Sequence, residues 1–243
     1  MDNNTMHELS EIERQRLYYQ ESALEYERLH VRQDDEHYRA LEWLAGVMDG
    51  RGLGAVLDVG AGTGRALAYL KKHVPAAKVV GIEPSDGLRA IGYQNGLASE
   101  DLLEGDATSL DYPDNHFDVV CEFGVLHHIR DPKVAVREML RVARIAVFFS
   151  DDNHFAAGSK VMRIMKRSLR AAGLWDIAYK FRTFGKGYRV SEGDGISYPY
   201  SLFNDLDIVL QQCGSIFLMN TTASSGDLYR TASHVALLAV KRS

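Results

Sequence analysis

The sequence predicts an α/β fold: a doubly wound, mostly parallel sheet of seven strands whose last two form a C-terminal antiparallel hairpin. Three observations predict it. Between residues 55 and 150, short apolar runs of strand length alternate with amphipathic stretches of helical period. Those runs are apolar at nearly every position, as in strands covered by helices on both faces. The final two apolar runs follow one another with only a polar loop between them, which suits antiparallel neighbours.

Residues 7–30 predict a helix, with Leu9, Ile12, Leu17, Leu24 and Leu29 spaced among many charges. Residues 34–49 predict a second, carrying Leu41, Leu44 and Val47, and "DGRGLG" ends it. "AVLDVG" is the first strand and "GRALAYLKKHV" a helix stopped near Pro75. "KVVGIE" is the second strand, followed by a helix capped by Ser85. "DLLEGD" and "FDVVCEF" are the third and fourth strands. "DPKVAVREMLRVA" is a helix with Asp131 at its cap and Pro132 at its first position, and "RIAVFFS" is the fifth strand. The pattern then breaks. Residues 151–205 hold a basic helix and a Gly- and aromatic-rich stretch, read as an inserted acceptor or lid region. A further helix leads to "SIFLMNTT" and "SHVALLAVKR", the expected hairpin. The organisation expected is thus a helical cap (1–50), a core (51–150), the insertion (151–205) and a closing segment (206–243).

Of the 243 residues, 46% are hydrophobic and 25% charged, and the net charge is −5, which fits a soluble globular protein. That acidic balance disfavours a nucleic-acid surface. Cys121 and Cys213 sit in apolar segments and read as reduced core thiols, hence a cytoplasmic setting. No apolar run reaches the roughly 18 residues of a spanning helix, so no integral membrane contact is expected. The leading "MDNNTMHELSEIERQRL" lacks the apolar stretch of a signal peptide.

The chemistry concentrates around "VLDVGAGTG". A strand, a glycine-rich turn and a helix start present backbone N–H groups to a ligand, and glycines let the backbone approach closely. The dinucleotide pattern G-x-G-x-x-G/A fits neither register: from Gly60 its third position is Arg65, from Gly62 it is Leu67. What stands here is Asp58-x-Gly60-x-Gly62-x-Gly64. A carboxylate beneath the turn attracts an ammonium group and repels a pyrophosphate. Glu83 ends the second strand, where a carboxylate can accept both ribose hydroxyl protons; taken alone it suits either nucleoside ligand.

With these residues the sequence resembles the class I S-adenosylmethionine-dependent methyltransferases, in particular the small-molecule branch that includes ubiquinone and menaquinone biosynthesis methyltransferases. The resemblance runs from Val56 to Pro132, and the terminal hairpin extends it. It implies a Rossmann-like methyltransferase fold and S-adenosyl-L-methionine as cofactor. It assigns Asp58, Gly60, Ala61, Gly62 and Gly64 to the methionine and ribose portions, and Glu83 with Pro84 to the ribose. Asp106 and Ala107 in "EGDAT" fall to the adenine. "FDVVCEFGVLHHIRDP" is similar to the family's fourth segment, which implies that Glu122 and Phe123 lie near the cofactor and Val125 and His128 near the cofactor or acceptor. "YYQESALEYERLH" resembles a segment that folds over the cofactor in the family, so Tyr19 and Tyr26 are expected to close the pocket or, alternatively, to pack on the core. Glu27 stands where the family usually has Asp.

Methyl transfer from a sulfonium needs alignment, desolvation and, for a hydroxyl acceptor, a base. His127 and His128 lie on the expected rim and suit that role, with His128 favoured; His154 is a further candidate. Asp151, Asp152, Asn153 and His154 are contiguous, so their side chains diverge; a solvated loop and helix cap is expected there and no metal site. Lys160, Arg163, Lys166, Arg167 and Arg170 form a helical stripe, read as a solvated basic face, with an anionic acceptor or membrane surface as alternatives. Tyr188, Tyr198, Tyr200 and Phe203 are expected to shape an acceptor pocket. The function expected is methylation of a small-molecule acceptor, O- in preference to N-methylation, in biosynthesis of a sugar, polyketide or quinone-like metabolite. The alternatives are a macromolecular acceptor or a non-catalytic cofactor-binding protein. A homodimer is compatible with the sequence.

Overall fold

In the computed structural model of the chain, residues 10–30, 34–191, 194–222 and 226–242 are described. The expected helix start at 7–9 and the side chains of Ile12 and Leu29 lie outside the described set. Helices α1 (Glu11–His30) and α2 (Glu36–Arg51) precede the sheet. Asp35 caps α2 by accepting the Tyr38 N–H at 2.7 Å, and Gly52 in the left-handed region ends it.

The alternating part follows: β1 (Ala55–Val59), α3 (Arg65–His73), β2 (Lys78–Ile82), α4 (Asp86–Gln94), β3 (Leu102–Leu103), β4 (Phe117–Phe123), α5 (Pro132–Val142) and β5 (Ala143–Asp152). Helices α6 (Lys160–Ala171) and α7 (Trp175–Arg182) and a small hairpin, β6 (Arg189–Ser191) with β7 (Gly195–Ser197), come next. Helix α8 (Leu206–Gln212) and strands β8 (Cys213–Asn220) and β9 (His234–Lys241) close the chain. The seven-stranded sheet runs β3-β2-β1-β4-β5-β9-β8. The first five strands are parallel and β9 and β8 antiparallel, as the sequence predicted.

Consecutive residues of each strand feed opposite cores. Val56, Val79, Val119 and Phe148 join Leu41, Leu44 and Met48 of α2 and Leu67 and Leu70 of α3. Their successors Leu57, Val80, Val120 and Phe149 join Val136, Met139 and Leu140 of α5 and Ile208 and Val209 of α8. This is why the strands show no polar alternation in sequence. Cys121 and Cys213 are buried free thiols.

Asp131 is at the N-cap of α5 and Pro132 opens the helix, as expected, though the Asp131 side chain makes no capping hydrogen bond. Three expectations are corrected. The third strand is only Leu102–Leu103, because Asp106 leaves it to form a turn bridged to Ser109. Asp151 and Asn153 are buried: Asp151 lies within β5, and the Asn153 amide donates to the carbonyls of Leu228 and Tyr229 at 3.1 Å each. The basic stripe of α6 is only partly a solvated face: Lys160 is exposed, but the other four side chains lean on the body. Lys166 is buried with its ammonium on the His154 carbonyl, Arg170 lies 4.3 Å over the Phe155 ring, and Arg163 and Arg167 donate to the Gly158 and Arg230 carbonyls.

Candidate active site

The strand order reverses between β1 and β4, so their carboxyl ends leave a crevice. A cavity of about 800 Å³ lies there, within the range of small-molecule sites. One wall is the turn after β1. The Gly60 and Ala61 N–H groups both donate to the Ile82 carbonyl at 2.9 Å, which ties the turn to the end of β2. Gly60 has φ 71°, and a Cβ there would stand 2.4 Å from the Val125 side chain. Only glycine fits. Gly62 lines the cavity beneath the Tyr26 hydroxyl, which a Cβ on Gly62 would meet at 3.1 Å. Gly64 does not line it; with φ 84° it starts α3.

Glu83 lies at the centre. It is buried, and its two oxygens accept the Gly62 N–H at 3.0 Å and the Ser85 N–H at 2.9 Å. Burial pushes its pKa up to about 7, against the pull of those two N–H groups. Asp106 lines the far wall with Pro84 and Ala107; one oxygen accepts the Thr108 N–H at 2.8 Å, and the other faces Arg16 at 3.4 Å. Asp58 lies in a smaller adjoining space of about 30 Å³, shared with Ala61, Arg65 and Thr63. Tyr26, Gly60 and Phe123 line both spaces. Burial lifts the Asp58 pKa to about 7, with Arg65 pulling the other way. Helix α1 covers the crevice through Gln15, Arg16, Tyr19 and Tyr26, so both tyrosines face the cavity.

His128 lines the cavity opposite Glu83, on the loop after β4. Its Nδ1 lies 2.7 Å from the Ile196 carbonyl and 3.2 Å from the Gln15 amide nitrogen; the shorter contact, to an oxygen that can only accept, favours the hydrogen on Nδ1. Its Nε2 is 3.0 Å from the Tyr19 hydroxyl and 3.3 Å from Asp194. His127 stands behind it, ring centroids 4.0 Å apart, and does not line the cavity. Its Nδ1 donates to Asp151 at 2.7 Å, and its Nε2 is 3.5 Å from Asp194. Burial opposes a charge on this ring, but the two carboxylates outweigh it and raise the His127 pKa well above the usual imidazole value. His127 is therefore an imidazolium at neutral pH, not a free base.

Besides Gly64 and His127, two further residues expected at the site lie off the cavity. Glu122 does not line the cavity; it is buried and accepts the Val125 N–H at 2.9 Å and the Ser150 N–H at 3.0 Å, bracing the loop that carries His128. His154 also lies off the cavity, among Phe155, Trp175 and Tyr179, and burial pushes its pKa down to about 3. Of the inserted aromatics, Tyr198 lines the cavity; Tyr188 packs on Tyr198 and Phe203 on Tyr229. The sequence reading missed Asp194, Gln15 and Arg16. Asp194 follows a stretch with no periodicity, and nothing local marked it as a partner of the two histidines.

Residues 57–150 match the family model described as a methyltransferase domain. This segment belongs to the class I S-adenosylmethionine-dependent methyltransferases. An uncharacterised methyltransferase of Schizosaccharomyces pombe is 35% identical over 99 residues, covering 37% of this chain and 36% of that one. The ubiquinone/menaquinone biosynthesis C-methyltransferase UbiE of Pseudomonas putida is 34% identical over 107 residues, covering 42% of this chain and 41% of its own. The matches thus span well under half the length of these relatives. The fold agrees more widely: a crystal structure of a methyltransferase of Thermotoga maritima, described as a possible histamine N-methyltransferase, superimposes with TM-score 0.56 at 18% identity, over 93% of this chain and 99% of the other. The cofactor of this methyltransferase domain is S-adenosylmethionine. The crevice suits it: a glycine cradle that a Cβ would fill, a buried carboxylate at Glu83, and a second buried carboxylate at Asp58 in the adjoining space.

Proposed function

We propose that the protein methylates a small-molecule hydroxyl, with His128 as general base. The observation that carries this is the position of His128. Its Nδ1–H is tied to the Ile196 carbonyl, so its Nε2 is the nitrogen left to take a proton, on the wall of the cavity that also holds Glu83 and Asp106. Bound S-adenosylmethionine supplies an activated methyl group on a sulfonium. In this reading Glu83 holds the ribose hydroxyls, Asp106 the adenine amino group, and Asp58 the ammonium. Tyr19 and Tyr26 cover the crevice and exclude water; aromatic faces beside a cation add about 0.5–2 kcal/mol.

An acceptor hydroxyl must lose its proton as the methyl arrives, and Nε2 of His128 takes it. Asp194 then stabilises the imidazolium that forms, at 3.3 Å. His127, pinned between Asp151 and Asp194, fixes that carboxylate in place. Val125, Ile129, Ile196 and Tyr198 build the cavity wall near His128, which favours an acceptor with an apolar or ring-shaped body. An amine acceptor would not need the base, which is why O-methylation is favoured over N-methylation. A biosynthetic role in sugar, polyketide or quinone-like metabolism fits such an acceptor.

The test is transfer of label from methyl-labelled S-adenosylmethionine into a panel of phenols and into metabolite extracts. With an acceptor in hand, His128→Ala should lower kcat by about 10²–10⁴ while S-adenosylhomocysteine affinity stays within about threefold. Full turnover by that variant would remove His128 as the base.

A further inference from the structure

Helices α6 and α7 each carry apolar residues that the described fold leaves exposed. On α6 it consists of Val161, Ile164 and Met165, at i, i+3 and i+4, with Val161 77% exposed. On α7 Ile177 and Phe181 stand one turn apart, and Phe184 follows just past its end; Phe181 is 88% and Phe184 96% exposed. Apolar residues scattered singly on a surface are ordinary, but a concentration on one helical pair marks a contact surface. The cause lies in the reversed α6 described above. Arg163, Lys166, Arg167 and Arg170 turn toward the body, where backbone carbonyls and the Phe155 ring meet them, while Lys160 stays exposed, so the apolar side faces out.

The same segment is the most basic in the chain. Residues 159–191 hold nine Lys and Arg against one acid, Asp176, although the whole chain has a net charge of −5. Lys180, Arg182, Lys186 and Arg189 are exposed beside the exposed phenylalanines.

We propose that this face docks on an anionic lipid bilayer, with Phe181 and Phe184 seated at headgroup depth and the surrounding Lys and Arg against lipid phosphates. Apolar residues flanked by cations are what an interfacial helix presents to such a surface. Two copies of this chain meeting through the face would bring two strongly positive surfaces together, so charge selects the lipid over self-association. None of the described helices is long and apolar enough to cross a membrane, so the attachment is peripheral.

The test is co-sedimentation of the full chain with vesicles of phosphatidylcholine alone and of phosphatidylcholine with phosphatidylglycerol. Binding to the anionic vesicles should be at least about tenfold tighter, and should fall severalfold as salt is raised. The Phe181→Ser, Phe184→Ser double variant should lose about tenfold or more of that binding while keeping its circular dichroism and S-adenosylhomocysteine affinity. Lys180→Glu with Lys186→Glu should erase the preference for anionic lipid. The proposal is overturned if neither vesicle binds, or if the double phenylalanine variant binds like the parent. It is equally overturned if sedimentation equilibrium shows a dimer that the phenylalanine substitutions dissociate, for the face would then join two copies.

Discussion

Acidification should release the cofactor end of the crevice in a graded, predictable way. Asp58 and Glu83 are both buried, and burial holds each pKa at about 7 in the free protein. Their proposed partners, an ammonium and two hydroxyl donors, require both as carboxylates. A group with pKa near 7 is about nine-tenths ionised at pH 8 and about one-tenth at pH 6. Lowering the pH across that range should therefore weaken S-adenosylhomocysteine about tenfold for each group and about a hundredfold for both, or about 3 kcal/mol. The sign is set by the direction of the shift. Ligand binding lowers the pKa of each acid, so affinity is complete above pH 7 and is lost as pH falls through it, and below pH 7 binding expels up to about two protons. Titration calorimetry in buffers of different ionisation enthalpy reads affinity and proton release together. Asp58→Asn should leave only the Glu83 step, shrinking the fall to about tenfold. An affinity flat between pH 6 and 8, with no protons expelled, would refute the assignment of these two carboxylates to the ligand.

Other perturbations separate contact from support. Gly60→Ala places a Cβ 2.4 Å from the Val125 side chain at φ 71°, so it should cost about 1–3 kcal/mol in thermal unfolding and at least about tenfold in S-adenosylhomocysteine affinity; unchanged binding would show that the turn is not the cradle. Glu122→Ala strands the N–H groups of Val125 and Ser150 and should cost about 1–3 kcal/mol for each in denaturant unfolding. Its effect on S-adenosylhomocysteine affinity should be smaller than that of Glu83→Ala, and equal losses would return Glu122 to the ligand contacts. Phe149→Ala, in a side chain only 1% exposed, should cost about 3–5 kcal/mol; a loss under about 1 kcal/mol would mean that this core can collapse around the gap.

Much of the fold was legible because both faces of the sheet are buried. Strands such as "VVGI" must then be apolar at every position, and the helices between them must be amphipathic, which is a local signal. The glycine turn was legible for a similar reason: positive φ and close approach at Gly60 admit one residue type, and that residue is visible in the chain. The assembly around His128 was only half legible. The two histidines lie next to each other in sequence, but their partners do not: Asp151 is at the end of β5, Asp194 and Ile196 are near the small hairpin, and Tyr19 is on α1. The carboxylates that place a charge on the His127 ring come from separate segments, Asp151 and Asp194, and only the folded body brings them to it.

The orientation of α6 makes the same point in reverse. By itself, the sequence determined a helix with a basic stripe, because periodicity depends only on backbone geometry. Only the tertiary structure decided which side of that helix faces water. Carbonyls at Gly158, His154 and Arg230 meet the basic side chains and draw them inward, leaving Val161 and Ile164 outside. Hydrophobic patterning tells that a helix has two faces; the acceptors that choose between them are held by the fold, His154 and Gly158 in the segment just before the helix and Arg230 from a distant loop.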